Sequence, residues 1–358
     1  MSKILLKIKK KLEKKRIPVN VTFEVTKKCN LDCLHCYVDH DDTARELNIE
    51  KQKRIIDELY DLGVVYITFS GGELFVKEGV WELFEHTRRK KMGFKIITAA
   101  TLLEKNDIDR LKNLGVLEVG VSIYSDKSEI HDFITKRPGS LNKTLKAVKY
   151  MNEIGIVTVS KTLIMNINKN DIKNVYKLTS SLGMIPTFDL TVTGAQNNVR
   201  NPKKYALNKR EIYDLFKDRE VEKILLDNKP LEERYCGLKK QYKPDEPRCE
   251  IGRGAMWIDA KGLVYPCISY PYPVGDLTAE SLKEIWYDNP EIEKILELAK
   301  YKNYKSCHNC KASLFCDPCL GLSVAEGRSD LCCTPYYDKA FALKKILDEK
   351  SMSAFINF

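Results

Sequence analysis

Three cysteines fall within eight residues in the stretch Lys28-Cys29-Asn30-Leu31-Asp32-Cys33-Leu34-His35-Cys36-Tyr37. Their spacing is C-x3-C-x2-C, directly after a short apolar run. A closed zinc site takes four ligands, and His35, held between two of the cysteines, is badly placed to fold back onto the same ion. Three thiolates instead suit a [4Fe–4S] cube with one iron left open. An open iron binds a small molecule directly, so the spacing predicts a reactive centre. A zinc knuckle is the competing reading.

Nine of the twelve cysteines lie between Cys236 and Cys333. Cys249 is followed by Gly262-Leu-Val-Tyr-Pro-Cys267, then Cys307-x2-Cys310-x5-Cys316-x2-Cys319, then Cys332-Cys333. No apolar run approaches the ~18 residues of a membrane span. The N-terminus, MSKILLKIKKKLEKKR, lacks the apolar centre and cleavage site of a secretory signal. The expected location is therefore cytoplasmic, where thiols stay reduced and cysteine clusters point to metal or redox chemistry. Zinc ribbons are the alternative for the C-x2-C pairs. The net charge of +10 is concentrated at this N-terminus and reads as a solvated helix face. Neither nucleic acid nor membrane is expected as a partner.

The elements that must position these groups alternate in type. Apolar β-type runs at Val21–Val25, Val64–Phe69, Phe94–Ile97, Leu117–Ile123, Val157–Ile164 and Thr187–Thr193 are separated by charged amphipathic segments, several closing in Gly. Six β units, each followed by a helix, predict an α/β fold with parallel strands and right-handed crossovers. Six are too few for a closed eight-stranded barrel, so a partial (β/α)6 TIM-like barrel is expected, with chemistry at the strands' C-terminal ends. Residues 1–19 read as a basic helix, 20–225 as the barrel, and 226–358 as a Cys-rich domain with a closing helix near Tyr336–Leu347. In that last domain WIDAKGLVYPC reads as a β-hairpin, followed by short helices capped at Thr278 or Ser281. Its core looks too thin to hold without metal.

The three-cysteine loop resembles the signature of the radical S-adenosylmethionine (SAM) superfamily, with His35 where the family usually has an aromatic residue against adenine. Phe69-Ser70-Gly71-Gly72-Glu73, one βα unit later, is similar to the loop that holds the SAM amino group, although Leu74 replaces the usual Pro. Ser122 ends the fourth strand, where members bond the ribose, and Lys161 on the fifth resembles a lysine that meets the SAM carboxylate. The family's Thr-Asn-Gly after the third strand is absent, with Thr98-Ala-Ala-Thr101 there instead. His131-Asp132 resembles a segment of peptide-modifying members, and is read as capping and bracing.

The later cysteines resemble the SPASM extension of the same superfamily, except that the Cys316–Cys319 spacer is one residue short. The resemblance implies one or two auxiliary [4Fe–4S] clusters beside the SAM-binding one, two where all the later cysteines serve. Cys307, Cys310, Cys316 and either Cys332 or Cys333 would hold the outer one. Cys249, Cys267 and Cys319 would hold the inner one, with its fourth position taken by Cys236 or left open to solvent or substrate; Cys236 is otherwise a hydrogen-atom donor. The resemblance also implies reductive cleavage of SAM to a 5′-deoxyadenosyl radical and hydrogen abstraction from a peptide, giving a thioether or C–C crosslink or an epimerised residue. Ile268 stands where sulfatase-maturating members carry Asp, which argues against that kind. The expected partners are a ribosomally made precursor peptide, a separate peptide-recognition protein, and an electron donor such as flavodoxin or ferredoxin. A haem-precursor (porphyrin side-chain) enzyme and a redox-inert Fe–S or zinc scaffold are the alternatives.

Overall fold

The computed structural model describes residues 15–194, 201–235 and 242–356. Most of the expected basic helix (1–19), and Cys236, lie outside the described residues.

Six parallel strands run in chain order: β1 (Asn20–Glu24), β2 (Tyr66–Ser70), β3 (Gly93–Thr98), β4 (Glu118–Ser122), β5 (Thr158–Leu163) and β6 (Ile185–Asp189). The interleaved helices are α1 (Ile49–Asp61), α2 (Val80–Arg89), α3 (Lys105–Asn113), α4 (Ser128–Thr135), α5 (Ser140–Glu153) and α6 (Ile172–Ser181). Each strand pairs with the next in sequence, so the sheet winds in one sense as the wall of a partial barrel.

Period-two patterning decides which face points where. Val21, Phe23, Ile67, Phe69, Phe94, Ile96, Val119 and Val121 are fully buried against Ile55, Ile56 and Leu59 of α1 and their counterparts on the later helices. The opposite, inner face carries Thr22, Glu24, Thr68, Ser70, Lys95, Glu118, Gly120, Ser122 and Lys161 in register. A greasy outer face and a polar inner face are what a barrel with a polar lumen requires. Asn48 caps α1 by accepting from the Lys51 N–H at 3.0 Å. Gly63 ends that helix at φ +89°, a conformation that β-carbon-bearing residues resist.

β6 sits two residues earlier than the pattern predicts. Pairing with β5 starts at Ile185, and Asp189 then accepts from the Thr191 N–H at 2.8 Å, a local turn that takes Leu190–Thr193 off the sheet. The closing helix runs over Thr334–Ile356, longer than expected.

The hairpin forms as read, with β7 (Ala255–Ile258) antiparallel to β8 (Leu263–Tyr265) and Asp259 accepting the Lys261 and Leu263 N–H groups at 2.9 Å. Its placement is the surprise. β7 pairs in parallel with β1, and β9 (Gly275–Asp276) completes a nine-stranded sheet. Ser281, rather than Thr278, caps the next helical turn, exchanging bonds with Glu284. The expectation of a core held only by metal is corrected here: Leu282, Ile285, Trp286, Ile292 and Tyr304 are fully buried in the barrel's own core. The shared sheet provides that surface. Among the described residues no helix is long and apolar enough to cross a membrane.

Candidate active site and auxiliary cysteine sites

The loop after β1 carries Cys29, Cys33 and Cys36 across the C-terminal end of the sheet, held on two sides. On one side the Gly72 N–H donates to the Thr26 carbonyl (2.8 Å) and the Glu73 N–H to the Lys28 carbonyl (2.9 Å). A Cβ on Gly71 would lie 2.4 Å from the Thr26 oxygen, and one on Gly72 2.3 Å from the Lys28 oxygen. Only glycine lets these two loops touch. On the other side the Asp32 and Leu34 N–H groups donate to Thr135 and Ile134 at the end of α4, and Arg137 donates to the Asn30 carbonyl at 2.7 Å.

Glu73 is placed differently from a ligand-facing carboxylate. It is buried and accepts from Thr98 Oγ1 (2.7 Å) and the Ala99 N–H (2.9 Å), bracing the loop after β2 against the end of β3. Burial raises its pKa. The backbone of this loop, rather than its carboxylate, is what remains for a ligand.

The three thiols lie close enough to perturb one another. Burial, with smaller contributions from Glu73 and Cys36, pushes Cys29 up to about 11. Cys33 is raised further by burial and by both other thiols. Thiolates in such a place need a cation beside them. Among the described residues no three Cys, His, Asp or Glu side chains converge on a single metal ion. Three soft donors around a wider centre fit an iron–sulfur cube with one position open. Sequence reasoning missed His40, whose Nε2 lies 3.4 Å from Cys36 Sγ while Nδ1 meets the Lys27 carbonyl at 2.7 Å. Its position four residues after a cysteine was the available signal.

His35 packs on Tyr124, a residue close enough to the thiols to feel all three. Its ring stands edge-on to Tyr124 with centroids 4.6 Å apart, and Nε2 is 3.1 Å from the Tyr124 hydroxyl. Burial lowers its pKa to about 4, leaving a neutral imidazole, and the buried Nδ1 has no protein partner. Ser122 stands opposite Lys161 in the β4–β5 register. The Lys161 stem lies over Gly120, where a Cβ would come within 3.1 Å of its Cε. The Gly71–Gly72 backbone packed on the chain leading into the thiol loop, and the buried His35 nitrogen with no protein partner, fit a cofactor that brings its own hydrogen-bonding groups, and Ser122 and Lys161 lie on the inner strand face. His131 and Asp132 brace and cap as read: His131 Nδ1 accepts from the Tyr124 N–H, and Asp132 accepts from Gly139, Ser140 and Leu141 at the start of α5.

Glu24, also missed, ends β1 on the lumen side. It is fully buried, accepts from the Tyr37 hydroxyl at 2.8 Å, and faces Asp259, Trp257 and Lys27. Burial, reinforced by Asp259 and opposed by Tyr37 and Lys27, raises its pKa from 4.5 to about 7. The folded protein therefore holds this proton more tightly than the unfolded chain. The associated stability is complete below about pH 4.5 and is lost as pH rises through 7. At ~1.4 kcal/mol per unit, the loss is on the order of 3 kcal/mol. Glu24→Gln is expected to flatten the fall in melting temperature between pH 5 and 8. An unchanged slope would show that Glu24 is not the group responsible.

The later cysteines separate into two groups. Cys249 and Cys319 both raise Cys267, which burial pushes up to about 12. Gly321 makes this approach possible, because a Cβ there would sit 2.6 Å from the Ser269 carbonyl carbon. Cys307, Cys310, Cys316, Cys332 and Cys333 line a separate cavity of about 500 Å³. Burial and the neighbouring thiols push Cys316 up to about 12. Cys333 is buried between the groups, its Sγ accepting from the Cys319 N–H at 3.4 Å.

A parallel partial barrel with three thiols over a polar lumen, extended edge to edge by a second cysteine-bearing segment, is the architecture of an iron–sulfur enzyme. Residues 23–179 match the model of the radical SAM superfamily, and residues 249–311 match that of an iron–sulfur cluster-binding domain, SPASM. The chain is similar to the antilisterial bacteriocin subtilosin biosynthesis protein AlbA of Bacillus subtilis, at 27% identity covering 85% of this chain and 67% of that protein. It is also similar to an AdoMet-dependent heme synthase of Methanosarcina barkeri, at 24% identity over 86% of this chain and 93% of that protein. Its fold matches Streptococcus suis SuiB, solved with the precursor peptide SuiA, with TM-score 0.68 at 17% identity, covering 91% of this chain and 77% of that one. These matches give the cofactors as SAM and iron–sulfur clusters, and set aside the redox-inert scaffold.

Proposed function

We propose that this enzyme modifies a peptide, installing a crosslink or an epimerised residue, with Cys29, Cys33 and Cys36 holding the SAM-binding cluster. When bound there, the cofactor supplies a 5′-deoxyadenosyl radical able to take hydrogen from an unactivated carbon. His35, the Gly71–Gly72 backbone, Ser122 and Lys161 hold and orient SAM. Cys249, Cys267 and Cys319 hold an inner auxiliary cluster, and Cys307, Cys310, Cys316 and Cys332 or Cys333 an outer one. Cys236 remains a candidate fourth ligand or hydrogen donor.

One observation carries the choice of a peptide over a porphyrin. A haem precursor bears several carboxylates, and its site needs several cations to neutralise them. On the inner strand face, among the described residues, Lys95 is paired with Glu118 at 3.1 Å, and Lys161 is the other cation. Glu24 and Asp189 share that face, with Lys27 beside the first and Lys339 beside the second, so cations and acids there match. An acid-balanced lumen suits the amides and mixed side chains of a peptide. The likeness to AlbA supports the same reading, and the likeness to a heme synthase keeps the alternative worth testing.

The test is anaerobic incubation of the reconstituted full chain with SAM, dithionite and either a peptide encoded beside its gene or a haem precursor. A peptide product lacking two hydrogens, or an inverted residue, with substrate hydrogen recovered in 5′-deoxyadenosine, is the expected result. Conversion of the porphyrin alone would overturn it.

A further inference from the structure

The thiol loop needs an electron from outside, and one face of the molecule is built to receive its carrier. Leu34, between Cys33 and His35, reaches a groove of about 420 Å³ on the flank of α4, lined also by Phe133, Lys136 and Pro138. Phe133 is 60% exposed, an unusual position for a large aromatic residue. The groove wall is fastened to the thiol loop by the backbone bonds from Asp32 and Leu34 to Thr135 and Ile134, so this surface cannot move independently of the loop. No residue of the inner strand face lines it. It therefore offers an approach to the cysteines distinct from the lumen.

The frame around this apolar spot is basic. Lys136 and Arg137 are exposed beside it, and α5 continues from there with Lys143, Lys146 and Lys149, all exposed. Spacing of three places these three lysines along one side of the helix. Asp132 caps α5, Asp32 and Lys136 engage each other at 2.9 Å, and Glu104 lies 4.0 Å from Lys146, so Lys143 and Lys149 carry most of the face's unbalanced charge. Glu129 is the acid left exposed at the groove.

We propose that this α4–α5 face, centred on Phe133, docks a small acidic electron-carrier protein that reduces the cluster at Cys29, Cys33 and Cys36. One electron passes from the carrier's reduced flavin or iron–sulfur centre to that cluster, and no atom moves. An apolar contact within a ring of charge is what a transient redox encounter uses: little buried area, with association steered by long-range attraction. The proposal rests on the superfamily's one-electron chemistry and not on the peptide reading, so either one survives the other's failure.

The test uses the anaerobically reconstituted full chain and an acidic flavodoxin, with dithionite as a reductant that needs no docking. Lys143→Glu/Lys146→Glu/Lys149→Glu should weaken flavodoxin binding, measured by calorimetry without SAM, by about ten-fold or more at low salt, with the gap closing as ionic strength rises. Phe133→Ala should weaken it several-fold at every salt concentration. Stopped-flow reduction by flavodoxin hydroquinone should slow in parallel, while 5′-deoxyadenosine formation driven by dithionite stays within about two-fold of wild type. Unchanged flavodoxin affinity would overturn the assignment. So would an equal loss with dithionite, which would make these residues part of the fold. Loss of peptide binding with flavodoxin binding retained would make the face a peptide dock instead.

Discussion

Changing Cys29, Cys33 and Cys36 together to Ala is expected to reduce dithionite-driven cleavage of SAM by on the order of 10⁴-fold or more, the scale seen when a member of a catalytic unit is removed. Each single substitution should cost nearly as much as the triple one, because the three thiols act as one holder and their effects do not add. Iron analysis separates this from unfolding. The loop is held to the rest of the barrel by bonds that do not involve the thiols: Gly72 to Thr26, Glu73 to Lys28, Leu34 to Ile134, and Arg137 to Asn30. The variants should therefore fold, keep the iron bound by the later cysteines, and lose one cluster's share. Survival of cleavage in the triple variant would remove the site assignment and everything built on it.

Much of this arrangement was legible because chemistry constrains sequence tightly where metal and backbone meet. Three thiols at short spacing, a Gly-Gly step at a strand end and two Cys groups later in the chain each have few physical uses. The strands were legible for a related reason: their helix-facing residues must be apolar at every second position, as in Val21, Phe23 and Val25. What could not be read was anything set by contacts distant in sequence. β7 joins β1 across more than two hundred residues, and no local pattern announces a partner. The buried Glu24 looks in sequence like any strand-end acid, and becomes unusual only because Tyr37, Trp257 and Asp259 close around it. Glu73 seemed free to meet a ligand because its partners, Thr98 and Ala99, lie at the end of the next strand and just beyond it. In each case the residue type was visible and the neighbours were not.

The auxiliary cysteines offer the sharpest test of how the two halves of the molecule divide their work. Cys319→Ala is expected to remove the inner cluster, and Cys316→Ala the outer one, each independently of the other. The grouping supports this: Cys319 lies with Cys249 and Cys267, while Cys316 shares a cavity with Cys307, Cys310 and Cys332. Neither change touches the loop at residues 29–36, so 5′-deoxyadenosine should still form. Product formation should nevertheless fall by about 100-fold or more in Cys319→Ala, since the substrate radical would then lose the cluster proposed at Cys249, Cys267 and Cys319. Stability should drop by a few kcal/mol, as when a metal site is lost, without global unfolding. Trp286, Tyr304 and the β7–β1 pairing anchor this region to the barrel core whether or not iron is present. If both variants lost all auxiliary iron together, the cysteines would form one centre rather than two. If Cys319→Ala made product at the wild-type rate, the inner group would have no part in turnover.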